Sequence, residues 1–210
     1  MEIAVIGATG ALGREVVREA LARGHGVSAL ARESSRGRVD SGATVVEGDA
    51  RQRQSLRKLV RGTDAVVSVL GPVVGSEVDL CSRYTRALLE VMAEEGVERL
   101  VYITGAMIGH PPERSGLVYR LIPRLFSAST RAGVEDRRLA ERLVMASDRR
   151  WSIVRPPRLV DGPALGGVES GETIRIGSLA RIRRADLARF LVDAVVDRAL
   201  EGRAVAVVGR

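Results

Sequence analysis

The chain has 210 residues, 45% hydrophobic and 28% charged, with a formal net charge of +7. That is enough apolar material for one domain with a real core, and no run of 18 apolar residues is present to cross a membrane as a helix. The single cysteine, Cys81, excludes an intramolecular disulfide and a multi-cysteine metal site.

The basic balance invites a nucleic-acid partner, but its distribution argues against one. Lys58 is the only lysine; the arginines are scattered along the whole chain among 26 acids, as on solvated faces. Aromatic residues are 3% of the total, too few for a base-stacking platform. The N-terminus opens directly on a strand, without the basic and apolar segments of a signal peptide. A cytoplasmic protein is expected, with no membrane or nucleic-acid partner.

Ile3-Ala4-Val5-Ile6 is an apolar run without a helical stripe and reads as a buried parallel strand. In the stretch that ends at Arg23, Leu12, Val16, Val17, Ala20 and Leu21 fall on one face, the mark of an amphipathic helix. Between them stands Gly7-Ala8-Thr9-Gly10-Ala11-Leu12-Gly13. Strand, glycine turn, helix is the context of a dinucleotide-binding turn. Gly7 lets the chain turn off the strand. Gly10 lets backbone N–H groups approach a pyrophosphate, and Gly13 lets the helix pack closely. The helix N-terminus offers unpaired N–H groups to the phosphates. Thr9, Ala11 and Leu12 join the three glycines as candidate cofactor contacts.

The second strand, Val27 to Ala31, ends at Arg32. In NAD-binding units an acid about 20 residues past the glycines holds the ribose 2′-OH. An arginine cannot accept that hydrogen bond, and its planar fork suits a 2′-phosphate. NADP(H) is therefore expected over NAD(H). The alternative is a solvated basic loop, and the adjacent Glu33 counts against the preference.

Thr44 to Glu47 reads as the third strand, and Gly48-Asp49-Ala50 follows; Asp49 is placed to cap the helix predicted over 51–60. Asp64 to Leu70 is the fourth strand and ends in Gly71-Pro72. A helix is predicted over 77–95, with Leu80, Tyr84, Ala87, Leu88 and Val91 on one stripe. Leu100 to Ile103 is the fifth strand and leads into Thr104-Gly105-Ala106. Strand ends at this edge of an open sheet face the ligand crevice. Residues 107–130, with Pro111, Pro112 and Pro123, read as loop with an apolar insert suited to a lid.

A helix is predicted over 131–147, a sixth strand from Trp151 with an Arg155-Pro156-Pro157 exit, and a strand over 173–176. A helix from Arg184 to about 199 and a final strand over 204–208 close the chain. This alternation requires an α/β fold: a doubly wound parallel sheet of Rossmann type. A single NAD(P)-binding domain over 1–210 is expected, with a small C-terminal substrate-side portion. Loops 104–130 and 156–185 are predicted to lie on the substrate side.

The G-x-x-G-x-x-G spacing, with Thr9 before the second glycine, resembles the atypical branch of the short-chain dehydrogenase/reductase superfamily. Its nearest look-alikes are the NAD(P)H-binding, NmrA-like and flavin reductase/biliverdin-IXβ reductase-like proteins. The similarity runs on through Trp151-Ser152-Ile153-Val154-Arg155-Pro156-Pro157 and Arg184-Ala185-Asp186-Leu187-Ala188. The resemblance implies that Asp49 and Ala50 lie near the adenine. It also implies that Leu70, Gly71 and Pro72 pass close to the cofactor ribose, with Thr104, Gly105 and Arg155 at the cofactor or substrate. Arg155 reads equally as an anion-orienting group or a structural corner. Helices in the position of 77–95 pair in dimers of the superfamily, which leaves monomer and homodimer open.

Most dehydrogenases of that superfamily use Tyr-x-x-x-Lys as proton donor and tuner. Here Tyr84, Tyr102 and Tyr119 are followed four residues on by Leu88, Ala106 and Pro123, so the pair is absent. The remaining catalytic candidates are Thr104, His110 and Tyr119, each with a structural reading beside the chemical one. Two histidines without clustered acids indicate no metal. Acceptors that take their proton from water suit such a pocket. The expected function is an NADPH-dependent reductase acting on a small conjugated or flavin-like molecule. An NmrA-like sensor that binds NADP(H) without chemistry fits the missing pair too, and nucleotide-sugar or quinone modification ranks third.

Overall fold

A computed structural model describes residues 1–71, 77–109, 128–177 and 179–209. In chain order it forms β1 (Glu2–Ile6), α1 (Ala11–Ala22), β2 (Gly26–Ala31), a 3₁₀ turn (Glu33–Arg38), β3 (Thr44–Glu47), α2 (Arg53–Val60), β4 (Ala65–Ser68), α3 (Leu80–Glu94), β5 (Arg99–Ile103) and α4 (Ala106–Gly109). It continues with α5 (Ala128–Met145), β6 (Arg150–Arg155), β7 (Arg158–Val160), β8 (Val168–Gly171), β9 (Arg181–Arg183), α6 (Arg184–Val196), a 3₁₀ turn (Arg198–Leu200) and β10 (Arg203–Gly209). The expected lid segment, Pro72, His110 and Tyr119 lie outside the described residues.

The main sheet has eight strands in the order β3-β2-β1-β4-β5-β6-β10-β8. All neighbours pair in parallel except β8, which runs antiparallel on β10. β7 and β9 form a separate parallel pair. Strand order reverses at β1, between β2 and β4, which puts the crevice of an open α/β sheet above the end of β1.

Helices cover both faces, so the inner strands are apolar on both sides rather than alternating. Ile3 and Val5 of β1 share a core with Val16, Val17 and Ala20 of α1 and Leu187, Leu191 and Val192 of α6. Ala4 and Ile6 turn the other way, toward Leu56 and Leu59 of α2, Leu88 and Met92 of α3 and Ala140 and Val144 of α5. The protein is a single-domain, doubly wound Rossmann-like α/β fold, as its alternation of elements requires. No helix among the described residues is long and apolar enough to cross a membrane.

Several boundaries shift by one to three residues, and two departures from the sequence reading change the packing. Residues 173–176 are not a strand; Ile176 packs with Ala106 and Ala206, flanked by Ile174. The edge of β10 is taken instead by Val168–Gly171. Alternating isoleucines report burial on one side, and a small cluster meets that demand as well as a ladder does. The last helix stops at Val196, where the Asp197 carboxylate accepts the Ala199 N–H at 2.9 Å and opens a 3₁₀ turn.

At the foot of the sheet Arg99 is only 2% exposed. Its Nε donates to the Val195 carbonyl at 3.1 Å and Nη2 to the Ala194 carbonyl. Nη1 donates to the Arg150 carbonyl at 2.5 Å and Nη2 also to Ser152 Oγ at 2.7 Å. One guanidinium therefore satisfies orphan carbonyls at the end of α6 and ties them to β5 and β6. Burial pushes its pKa below the ordinary arginine value. Arg99→Met is expected to lower stability by about 3 kcal/mol, because buried carbonyls lose a charged donor; urea unfolding checks this.

Candidate functional site

The glycine turn is built by three different constraints. Gly7 leaves β1 at φ +86, in the left-handed region, and a Cβ there would stand 2.9 Å from the Leu70 backbone nitrogen. A Cβ on Gly13 would stand 2.0 Å from the Gly7 carbonyl oxygen and 2.8 Å from Ala8 Cα. The third glycine thus lets α1 close onto the turn itself. A Cβ on Gly10 would meet only the Gly7 carbonyl oxygen, at 3.3 Å. Its missing side chain relieves little crowding and keeps the space before the helix open. Gly10 is the N-cap of α1, with no side-chain cap and no acid in the first turn. An uncapped helix N-terminus behind a glycine cradle fits a pyrophosphate.

This turn forms one end of a cleft of about 470 Å³ lined also by the exits of β2, β3 and β4. The lining includes Gly7, Thr9, Gly10, Arg32, Ser35, Asp49, Ala50, Arg51, Leu70 and Gly71. Arg32 is exposed and has no ion pair among the described residues. Its carbonyl accepts from the Ser35 N–H at 2.8 Å and the Ser35 hydroxyl at 3.2 Å, which holds the buried Ser35 beside it.

Asp49 does not cap α2, which begins at Arg53 after Gln52. Its carboxylate accepts the Arg51 N–H at 2.9 Å and pairs with the Arg51 guanidinium at 2.7 Å. The Arg51 contact holds its pKa below the usual aspartate value, against the opposing effect of burial.

A second cleft of about 540 Å³ shares Val69, Leu70 and Gly71 with the first. Leu12, Tyr102, Thr104, Gly105, Met107, Ile108, Val134, Pro156, Pro157 and Leu159 line it, with Arg137 and Arg158 as its charged members. The Thr104 hydroxyl donates to Glu141 of α5, which is 4% exposed. Glu141 also holds Arg155 through Nε at 3.1 Å and Nη2 at 2.7 Å.

Arg155, expected at the cofactor or substrate, therefore lines neither cleft. Side chains alternate along β6, so Arg155 shares the α5 face with Ile153 while Val154 faces the other layer. Its charge is neutralised there. Ala11 and Gly13 also line neither cleft.

The hydroxyls in and under the second cleft are sealed. Tyr84 OH is 2.8 Å from Ser68 Oγ, Tyr102 OH is 2.7 Å from Thr85 Oγ1, and the two rings stack at 6.3 Å. Burial pushes Tyr84 up to about 12 and Tyr102 well above the ordinary tyrosine value. Burial likewise pushes the Cys81 thiol up to about 12. None of the three ionises near neutrality. Among the described residues no group of three or more His, Cys, Asp or Glu side chains could hold a metal ion.

Ser35, Arg51, Tyr102, Arg137 and Arg158 line the clefts without having been singled out from the sequence. For Ser35 the signal was its place three residues after Arg32, and for Arg158 its place directly after the Pro-Pro exit. Arg137 had none, since its helix carries arginines on several faces.

A family profile described as NAD(P)H-binding matches residues 7–198. The chain is 29% identical over 214 residues to the (4-alkanoyl-5-oxo-2,5-dihydrofuran-3-yl)methyl phosphate reductase of Streptomyces griseus, covering 99% of this chain and 67% of that one. Two further curated relatives match over shorter stretches, and the chain spans only 26% and 48% of their lengths. Among solved structures, ChuY, an anaerobillin reductase from Escherichia coli, superposes with a TM-score of 0.79 at 21% identity, covering 100% of this chain and 97% of that one. A wide-type short-chain dehydrogenase/reductase from Veillonella parvula in complex with NADP superposes at 0.80 with 15% identity, covering 100% and 94%.

Gly13→Ala is expected to destabilise the fold by roughly 1–3 kcal/mol, because its Cβ meets rigid backbone. Gly10→Ala should stay within about 1 kcal/mol of the parent, the usual effect of alanine at an N-cap. Chemical unfolding of both variants checks the contrast.

Proposed function

Because the chain belongs to the NAD(P)H-binding family, of the atypical short-chain dehydrogenase/reductase kind, we propose that it is an NADPH-dependent reductase of a small conjugated or flavin-like acceptor. The observation that carries this reading is the shared wall of Val69, Leu70 and Gly71. A ligand laid from the glycine turn along the end of β4 passes directly from the first cleft into the second.

In this reading the Gly7–Gly13 turn holds the pyrophosphate at the N-terminus of α1. Arg32, its backbone held by Ser35, takes a 2′-phosphate, Asp49 and Ala50 border the adenine, and Leu70 and Gly71 border the ribose. Thr104 and Gly105 stand where that path enters the second cleft, and the described parts of the segments 104–130 and 156–185 form its substrate side. When bound, the nicotinamide dinucleotide supplies the hydride.

The chain's own contribution is positioning, which can lower a barrier by about 7–11 kcal/mol without a protein acid. The Thr104 hydroxyl hydrogen is directed at Glu141, so Thr104 shapes the wall and does not donate into the cleft. Tyr102 is held neutral by burial and bonded to Thr85. The proton then comes from water. The reductase names of two of the similar proteins support this reading. The sealed tyrosines favour a second one, an NmrA-like NADP(H) sensor without chemistry.

Calorimetric titration is expected to show NADPH binding about ten- to a hundredfold tighter than NADH, the worth of one charge-assisted contact at Arg32. Arg32→Asp should move the preference toward NADH, and equal or tighter NADH binding by the parent would refute the assignment.

Turnover with a panel of flavins, quinones and tetrapyrroles tests the chemistry. His110→Ala and Tyr119→Phe should each keep a substantial share, whereas a lost general acid is typically worth 10²–10⁴-fold. Gly10→Val should abolish turnover by filling the space before α1. Tight NADPH binding with no acceptor reduced would favour the sensor.

A further inference from the structure

The second cleft carries charge that nothing among the described residues answers. Arg137 projects from α5, and its Nε is buried with no hydrogen-bond partner. A buried charged donor left unsatisfied is costly. The other charged groups beside it on α5 are engaged. Asp136 caps α3 through the Cys81 and Ser82 N–H groups at 2.8 and 3.1 Å. Arg138 pairs with Glu135 at 2.6 Å, and Glu141 holds Arg155. Arg137 alone of this group lines the cleft.

Arg158 lines the same cleft and likewise has no ion pair among the described residues. No aspartate or glutamate among the described residues lines it. Arginine stays protonated at any working pH, so this positive charge is permanent. The surrounding wall is apolar, from Leu12, Met107, Ile108, Val134 and Leu159. The charge is felt inside the cleft: Arg137 opposes the upward effect of burial on the Cys81 thiol.

We infer that the acceptor is an organic anion, a flat apolar ring system whose carboxylate or phosphate seats on the Arg137 guanidinium, with Arg158 lining the same cleft. This rests on the reading of the second cleft as the substrate side, and it narrows that reading. A neutral quinone or a bare isoalloxazine ring would fill the apolar wall and could offer Nε of Arg137 a carbonyl oxygen, but would leave the guanidinium charge unpaired. An acid satisfies both, because a planar fork matches a carboxylate or phosphate through two parallel hydrogen bonds. The volume of about 540 Å³ suits one such ring system.

The test is calorimetric titration at saturating NADP⁺ with three probes: naphthoate, naphthyl phosphate and the neutral naphthamide. The wild type is expected to bind each anion about ten- to a hundredfold tighter than the amide. Arg137→Gln should collapse that preference while NADP⁺ affinity stays unchanged. Arg158→Gln should reduce it in part, and Arg137→Lys, which keeps the charge and loses the fork, should retain part of it. Raised salt should weaken the anions and leave the amide alone. The Arg137→Lys variant, the Arg158→Gln variant and the salt series decide the matter if Arg137→Gln fails to fold.

Equal binding of anion and amide, no saturable anion binding, or a preference that survives Arg137→Gln would each overturn the inference. So would a parallel loss of NADP⁺ affinity in Arg137→Gln, which would place that arginine on the dinucleotide. If the wild type does not bind NADP⁺ at all, the assignment of the first cleft fails instead. Titration without dinucleotide then still decides whether the second cleft selects anions.

Discussion

The approach of α1 to the first turn is the constraint on which the rest of the structure depends. With Gly13, the helix lies so near the Gly7 carbonyl that any side chain would collide with backbone. That closeness aims the uncapped N-terminus of α1 at the crevice and lets Val16, Val17 and Ala20 bury on β1. Gly7 in turn sits against the backbone of Val69 and Leu70. The end of β4 is thereby fixed beside the turn, and Val69, Leu70 and Gly71 become the wall common to both clefts. Switch-point geometry supplies the crevice, and three glycines decide how near its walls stand.

The second organising element is α5, which distributes charge to three destinations. Asp136 serves a neighbouring helix end, Glu141 neutralises Arg155 and orients Thr104, and Arg137 is left to the cleft. Buried polar groups elsewhere follow the same rule of mutual satisfaction, Arg99 at the foot of the sheet being the largest case. Against that background an unanswered guanidinium stands out as a place where a ligand completes the structure. The two ends of the sheet use the same residue type oppositely: Arg99 is consumed by backbone carbonyls, while Arg32 and Arg137 face space.

Much of the architecture was legible because it depends on local rules. The order of apolar strands and amphipathic helices gave a doubly wound sheet, and β1 does lie inside it, between β2 and β4. The glycine spacing marked where the chain must turn tightly. Most of the described residues expected at a dinucleotide fall along the two joined clefts. Arg155, Ala11 and Gly13 line neither cleft, residues 173–176 form no strand, and Asp49 closes a turn short of the helix it was expected to cap.

The sequence by itself determined what can be stated from neighbours along the chain. It set the period of each element, the positions where only glycine fits, the absence of a Tyr-x-x-x-Lys pair, and arginine in place of an acid after β2. These are fixed by covalent spacing and side-chain chemistry. Only the tertiary structure decided which charges cancel. Glu141 and Arg155 are 14 residues apart and meet across the α5–β6 interface; Asp136 meets the start of α3 over more than 50. Arg137 and Arg158 come to one cleft from a helix and a short strand. Hydrophobic period fixes the face on which a residue lies, but an ion pair depends on how two elements are packed together. Packing is set by the whole core, and so the free charge that selects a ligand appears only when the chain is folded.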